Sequence, residues 1–119
     1  MEISLSELKE LIDVKTKNED KETHSLVEKK VIVRTYSAGV HYGILLEKTE
    51  KECVLKDSIR IWRWSGAASL NQLAEEGTKD PENCKFSIKA KSIYLPWIEI
   101  IECSEEAIRS IEGVTSWKN

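Results

Sequence analysis

Little in this sequence is of the kind that performs bond chemistry. It holds two histidines, and His24 falls in a polar stretch, leaving His41 as the histidine expected inside the folded body. No serine or cysteine stands in a G-x-S-x-G context, and no H-x-x-x-H, D-x-D-x-D-G or P-loop pattern occurs. Carboxylates are numerous, but they crowd into charged turns and helix faces, where solvation is their usual role. The expectation is a non-enzyme, with no catalytic residue, no metal and no cofactor. Three cysteines, Cys53, Cys84 and Cys103, are an odd number without a C-x-x-C pair, which argues against a disulfide framework or zinc site and predicts reduced thiols. No apolar run approaches the roughly 18 residues of a membrane span, and the opening "MEISLSELKE" lacks the basic-then-apolar pattern of a signal peptide. A cytoplasmic protein with no membrane partner is expected. An excess of basic residues is missing too: the net charge is −3, against binding of long nucleic acid. A small anionic ligand held by a few local cations is compatible with that balance.

What is present divides the chain. Ser4 with Glu7 forms a capping box, and Leu5, Leu8, Leu11 and Ile12 make one apolar stripe, predicting an amphipathic helix over residues 1–14. Residues 15–26 begin with the charged run "KTKNEDKETH" and read as a linker. So short a helix is not stable alone; it must dock on the body or on another copy of the chain, and a flexible tether suits an exchanged arm. Residues 27–119 read as a single α+β domain. "KKVIVRTYS", "VHYGILLEK", "KECVLKD" and "SIRIWRW" alternate as four strands of an antiparallel meander, the first pair joined by a tight "SAG" turn. "SLNQLAEEG" is a middle helix capped by Ser69 with Gln72 and stopped at Gly77. "KFSIKAKSIYLPWIEIIE" holds two more strands, with Pro96 at an edge or bulge. Ser104 caps a C-terminal helix. The fold class is α+β: a mostly antiparallel sheet of about six strands with an N-terminal, a middle and a C-terminal helix.

Two stretches gather rings and cations: "VRTYSAGVHYG", residues 33–43, and "RIWRWSGAASL", residues 60–70. Strand alternation sends Ile59, Ile61 and Arg63 to one face and Arg60, Trp62 and Trp64 to the other, beside an open Gly66-Ala67-Ala68 turn. Indoles stack on bases and arginine bonds phosphate; equally, either tryptophan can be core or a subunit interface. Arg34 and Tyr36 share a face of the first strand. They lead into a turn where the amides around Ser37 and Gly39 can form an anion nest, with His41 just beyond. The plain alternative is an ordinary hairpin. Asn71, in the first turn of the middle helix, can read a base edge, and that helix's N-terminus favours phosphate. Lys85, Lys89 and Lys91 alternate on a strand face with Ser87, as a soluble edge does. Together these residues favour a binding module for a compact, ring-bearing anion over an enzyme.

The same two stretches resemble a family of small phage-encoded proteins with the pattern V-R-T-Y-S-A-G-V-H-x-G-x-L, then R-x-W-x-W-x-G-A-x-T-L-x-x-x-A-x-x-G. Here the pattern runs over positions 33–45 and 60–77, with Ser69 where threonine is usual, and "IEIIECSEEA" also fits. The likeness extends from residue 31 to about 107 and leaves out the N-terminal helix and linker. It is similar to the first-described Thoeris anti-defence proteins. The resemblance implies a sponge that sequesters the cyclic ADP-ribose derivative made by bacterial TIR-domain enzymes, without turnover. Some members also bind cyclic oligonucleotide signals. It further implies action in the bacterial host's cytosol during infection and assembly as a homodimer or larger homo-oligomer. The contact residues named above come from the face argument, not from the resemblance. An alternative of another class is a phage interaction module that binds a host protein directly through its tryptophan and arginine face, since these residues are also enriched in protein hot spots.

Overall fold

The computed structural model describes residues 24–118; the helix expected over residues 1–14 and residues 15–23 of its tether lie outside them. The described chain is an α+β fold: one six-stranded antiparallel sheet and two α-helices. In chain order these are β1 (Lys30–Arg34), β2 (Val40–Lys48), β3 (Glu52–Arg63), α1 (Leu70–Glu76), a short 3-10 turn (Pro81–Asn83), β4 (Lys85–Phe86), β5 (Ala90–Pro96), β6 (Glu99–Glu102) and α2 (Glu105–Glu112). The sheet order is β4-β3-β2-β1-β6. β5 shares an edge of β3 with β4, pairing along residues 52–58 while β4 pairs at Ile61 and Arg63.

Six strands were expected, but they are divided differently. "KECVLKD" and "SIRIWRW" are one 12-residue strand, not two. Asp57 takes φ +52 at the junction, so the chain bulges there and continues instead of turning. The bulge lies against Gly43, where a methyl group would meet the Lys56 carbonyl oxygen at 3.0 Å and the Ser58 Cα at 3.2 Å. The last stretch supplies three strands in place of two, Pro96 closing β5 opposite Glu52.

The bulge also divides the core. Before it, Cys53 and Leu55 join Val31, Val33, Leu45 and Leu95 on one face of the sheet, with Leu26, Val27, Trp97 and Ile100 packed around them. Leu26 thus belongs to the packed body although it closes the segment read as linker. After the bulge, Ile59 and Ile61 face the other way and join Ile32, Tyr42, Phe86 and the buried sides of both helices. The inward course of Ile59 and Ile61 is as the alternation predicts.

Both helix starts use the expected serine caps: Ser69 Oγ accepts from the Gln72 amide at 3.1 Å, and Ser104 Oγ from the Ala107 amide at 3.0 Å. Gln72 completes its box one residue early, accepting from the Ala68 amide at 2.7 Å. α1 ends at Gly77, whose φ of +78 needs glycine.

Candidate functional site

β3 leaves regular pairing at its far end. Ile61 pairs with Phe86, and the next partners are Arg63 and Lys85, leaving Trp62 as the extra residue of a bulge. Bulges re-aim side chains, and Trp62 stands 57% exposed. The Arg60 guanidinium carbon lies 5.3 Å from its ring centroid. Across the bulge comes a second ring. The Trp117 amide donates to the Phe86 carbonyl at 2.8 Å, hanging the C-terminal tail on β4, and the Lys85 ammonium sits 4.9 Å from the Trp117 centroid. Trp62, Arg63, Lys85 and Trp117 line a cavity of about 300 Å³.

No carboxylate is among those lining residues, in a chain whose net charge is −3. Arg63 and Lys85 are direct cross-strand neighbours, a placement that costs stability because like charges face each other. Among the described residues, ion pairs lie elsewhere, at Lys30–Glu112, Arg34–Glu99 and Lys79–Glu76. Two indole faces beside unneutralised cations can take a flat, negatively charged molecule: stacking holds its ring, and Arg60, Arg63 and Lys85 hold its anionic groups.

The expected residues are only partly brought together. Arg60 and Trp62 share a side as alternation predicts. Trp64 does not join them: β3 has ended at Arg63, and the Trp64 ring packs against the helix-covered core. The Gly66-Ala67-Ala68 turn is not open either. The Lys79 amide donates to the Gly66 carbonyl at 3.2 Å, and a methyl at Gly66 would lie 2.5 Å from the Asp80 amide nitrogen. Ser65 Oγ, donating to Asp80 at 2.9 Å, ties the same two loops.

Arg34 aligns with Val40 and Ile61 on the helix-bearing face, whereas Arg60 aligns with His41 and Val33 on the opposite one. Arg34 Nε is also spent on Glu99 at 2.9 Å. Tyr36 projects from the turn, 91% exposed, with Ser37 exposed beside it. Gly39 has φ +88 and open space around it, so conformation alone calls for glycine. The nest is partly filled, since the Ala38 amide donates to Thr35 Oγ1 at 2.7 Å. His41 is 1% exposed, its Nε2 lying 2.8 Å from the Ala38 carbonyl oxygen. Burial pulls its pKa below the ordinary histidine value; the Ala38 bond opposes this and the Arg60 charge adds to it. A buried ring supports the turn from beneath and is out of a ligand's reach. Asn71 is exposed on α1, but Ser69 and Gln72 already occupy amides at that helix start. Of the lysine row, Lys85 alone is in β4; Ser87 instead accepts from the Arg60 amide through Oγ at 2.8 Å.

Arg63 and Trp117 are not among the site residues that the sequence suggests, and Lys85 reads there only as part of a soluble edge. The family of domains described as a domain of unknown function, DUF6948, matches residues 28–111. The chain belongs to the DUF6948 family. The DUF6948 span runs from just before β1 to the last turn of α2, so it contains Arg60, Trp62, Arg63 and Lys85 and stops short of Trp117. Searches of curated proteins and of solved structures give no match.

Proposed function

We propose that this DUF6948 protein is a phage anti-defence protein that binds and sequesters a cyclic ADP-ribose-type signal without turning it over. The observation that carries the reading is the cavity of Trp62, Arg63, Lys85 and Trp117, with Arg60 over Trp62. A cyclic ADP-ribose derivative offers an adenine to stack and a pyrophosphate to neutralise, and the cavity offers rings and cations without a competing carboxylate. The motif resemblance over positions 33–45 and 60–77 points to the same ligand class, and cyclic oligonucleotides present the same groups. A sponge at nanomolar affinity needs about 12 kcal/mol of binding free energy, which stacking and charge-assisted bonds supply jointly. The protein acts in the host's cytosol and associates with itself through the Leu5, Leu8, Leu11 and Ile12 stripe.

The test is mass spectrometry of nucleotides released by heating protein that has been incubated with lysate of cells expressing a TIR-domain enzyme. The reading expects intact cyclic nucleotide, about one per site. Release of no nucleotide overturns it; so does recovery of altered nucleotide in amounts exceeding the protein, which would mean an enzyme.

A further inference from the structure

The cavity draws its two rings from different parts of the chain. Trp62 comes from the β3 bulge, inside the span matched by the family, whereas Trp117 lies past that span, which closes at residue 111. Backbone geometry explains how the tail reaches the cavity. The Ser87 amide donates to the Arg60 carbonyl at 2.9 Å, toward β3. Alternation turns the Phe86 carbonyl to the outer edge of β4, where the Trp117 amide meets it at 2.8 Å. The tail thus flanks β4 on the side away from β3, and two strand spacings, about 10 Å, separate the backbones that carry the indoles. One flat ring placed between them, roughly 4.5–7 Å from each centroid, fits that span.

Neither ring is placed for packing: Trp62 is 57% and Trp117 52% exposed. The tail is held instead by Val114, packed against the core, and by the Trp117 amide. A ring whose backbone is anchored while its side chain stands half open keeps stacking surface free for a ligand. The cations are arranged otherwise. Arg60, Arg63 and Lys85 all lie in β3 and β4, so the means to hold an anion are complete without the tail. We propose that Trp117 determines the specificity of this cavity: it stacks on the second face of a ligand's base and so favours base-bearing anions over base-free ones of equal charge. The inference rests on the nucleotide reading above and divides its labour, with the strand cations holding the anion and the tail ring selecting the molecule that carries it. One more aromatic face strengthens binding of a base about 5- to 150-fold and does nothing for a bare pyrophosphate.

The test titrates full-length protein with the cyclic ADP-ribose isomer purified from a TIR-domain enzyme, at several salt concentrations and with inorganic pyrophosphate as competitor. Trp117→Ala is expected to weaken nucleotide binding about 5- to 150-fold and to keep its salt dependence, because no cation is lost. Pyrophosphate should then displace the nucleotide at a concentration lower by about the same factor. Trp117→Phe should regain most of the loss, and neither change should move the melting temperature. Nucleotide affinity unchanged in Trp117→Ala but lowered in Trp62→Ala overturns the role of Trp117 and leaves the nucleotide reading standing. Loss accompanied by a lower melting temperature, a shallower salt dependence or no recovery by phenylalanine means that the tail only supports the fold or Lys85, and overturns that role too. A parent protein that binds no nucleotide overturns both.

Discussion

The Arg60 guanidinium carbon stands 5.3 Å from the centroid of the Trp62 indole, and Trp62 is the bulge residue at the end of β3. Cation and ring therefore meet on one side of the sheet, whereas Trp64, two residues on, has crossed to the core. The two tryptophans should part company on mutation. Trp62→Ala is expected to weaken binding of a purified cyclic ADP-ribose-type nucleotide about 5- to 150-fold, the cost of one lost stacking partner, with the melting temperature nearly unchanged. Trp64→Ala should lower unfolding stability by about 1.5–3 kcal/mol, as loss of a large aromatic half-buried against a core does. Calorimetric titration and chemical denaturation on the same two variants check this; equal effects from both contradict the division.

Lys85 faces Arg63 across the strand pair, so removing its charge should help the empty protein and harm the occupied one. Lys85→Gln is expected to raise stability by roughly 0.2–1 kcal/mol through relief of like-charge opposition, and to weaken nucleotide binding severalfold. A thermal melt paired with a binding titration reads both signs. A fall in stability without loss of binding would mean that Lys85 serves only to cover Trp117.

At Gly66 the expected effect is on the scaffold. Its φ is +81 and the loop of Thr78 and Asp80 closes against it, so Gly66→Ala suffers both backbone strain and a clash. Destabilisation above about 2 kcal/mol is expected from those two mechanisms. Gly39→Ala, with φ +88 but open space, should cost about 1 kcal/mol, from backbone alone. Urea melts of the two variants should keep that order.

Much of this architecture is legible in the sequence because its signals are local. Ser69 and Ser104 announce their helices through side-chain caps, and Ile59 and Ile61 announce the core side of β3 by alternation. What escaped has a physical cause in each case. Asp57 in a left-handed conformation lets β3 run through a segment whose charges resemble a turn. The bulge at Trp62 and the strand's end at Arg63 break the parity that would have kept Trp64 beside Trp62. Trp117 follows Gly113 in a tail without periodicity, and the hydrogen bond to Phe86 and the Lys85 ammonium over its ring bring it to the cavity. His41 is indistinguishable in sequence from an exposed neighbour of the turn, and its burial depends on strands on either side.

The cysteines give a pH prediction. Burial, the largest cause for each, raises the Cys53 thiol to about 11 and the Cys103 thiol to about 12, from an ordinary value of 9.0. Above pH 9 the unfolded chain releases these protons while the folded chain retains them. Stability is thus whole below pH 9 and falls as the pH rises toward 11 and 12, each thiol contributing up to about 1.4 kcal/mol per pH unit. Denaturation midpoints measured from pH 8 to 11 should decline, and the decline should be shallower in Cys103→Ala. A flat profile would contradict the burial of the thiols.

The central claim is that the cavity between Trp62 and Trp117 holds a cyclic nucleotide and leaves it intact. Equilibrium dialysis of a purified cyclic ADP-ribose-type signal against the parent protein and a Trp62→Ala, Trp117→Ala double variant tests it most directly, with the ligand on both sides analysed by mass spectrometry. The account predicts tight, saturable retention of unaltered ligand by the parent, and retention reduced more than a hundredfold by the folded double variant. Unchanged retention by that variant, or a parent that holds no nucleotide, would contradict it.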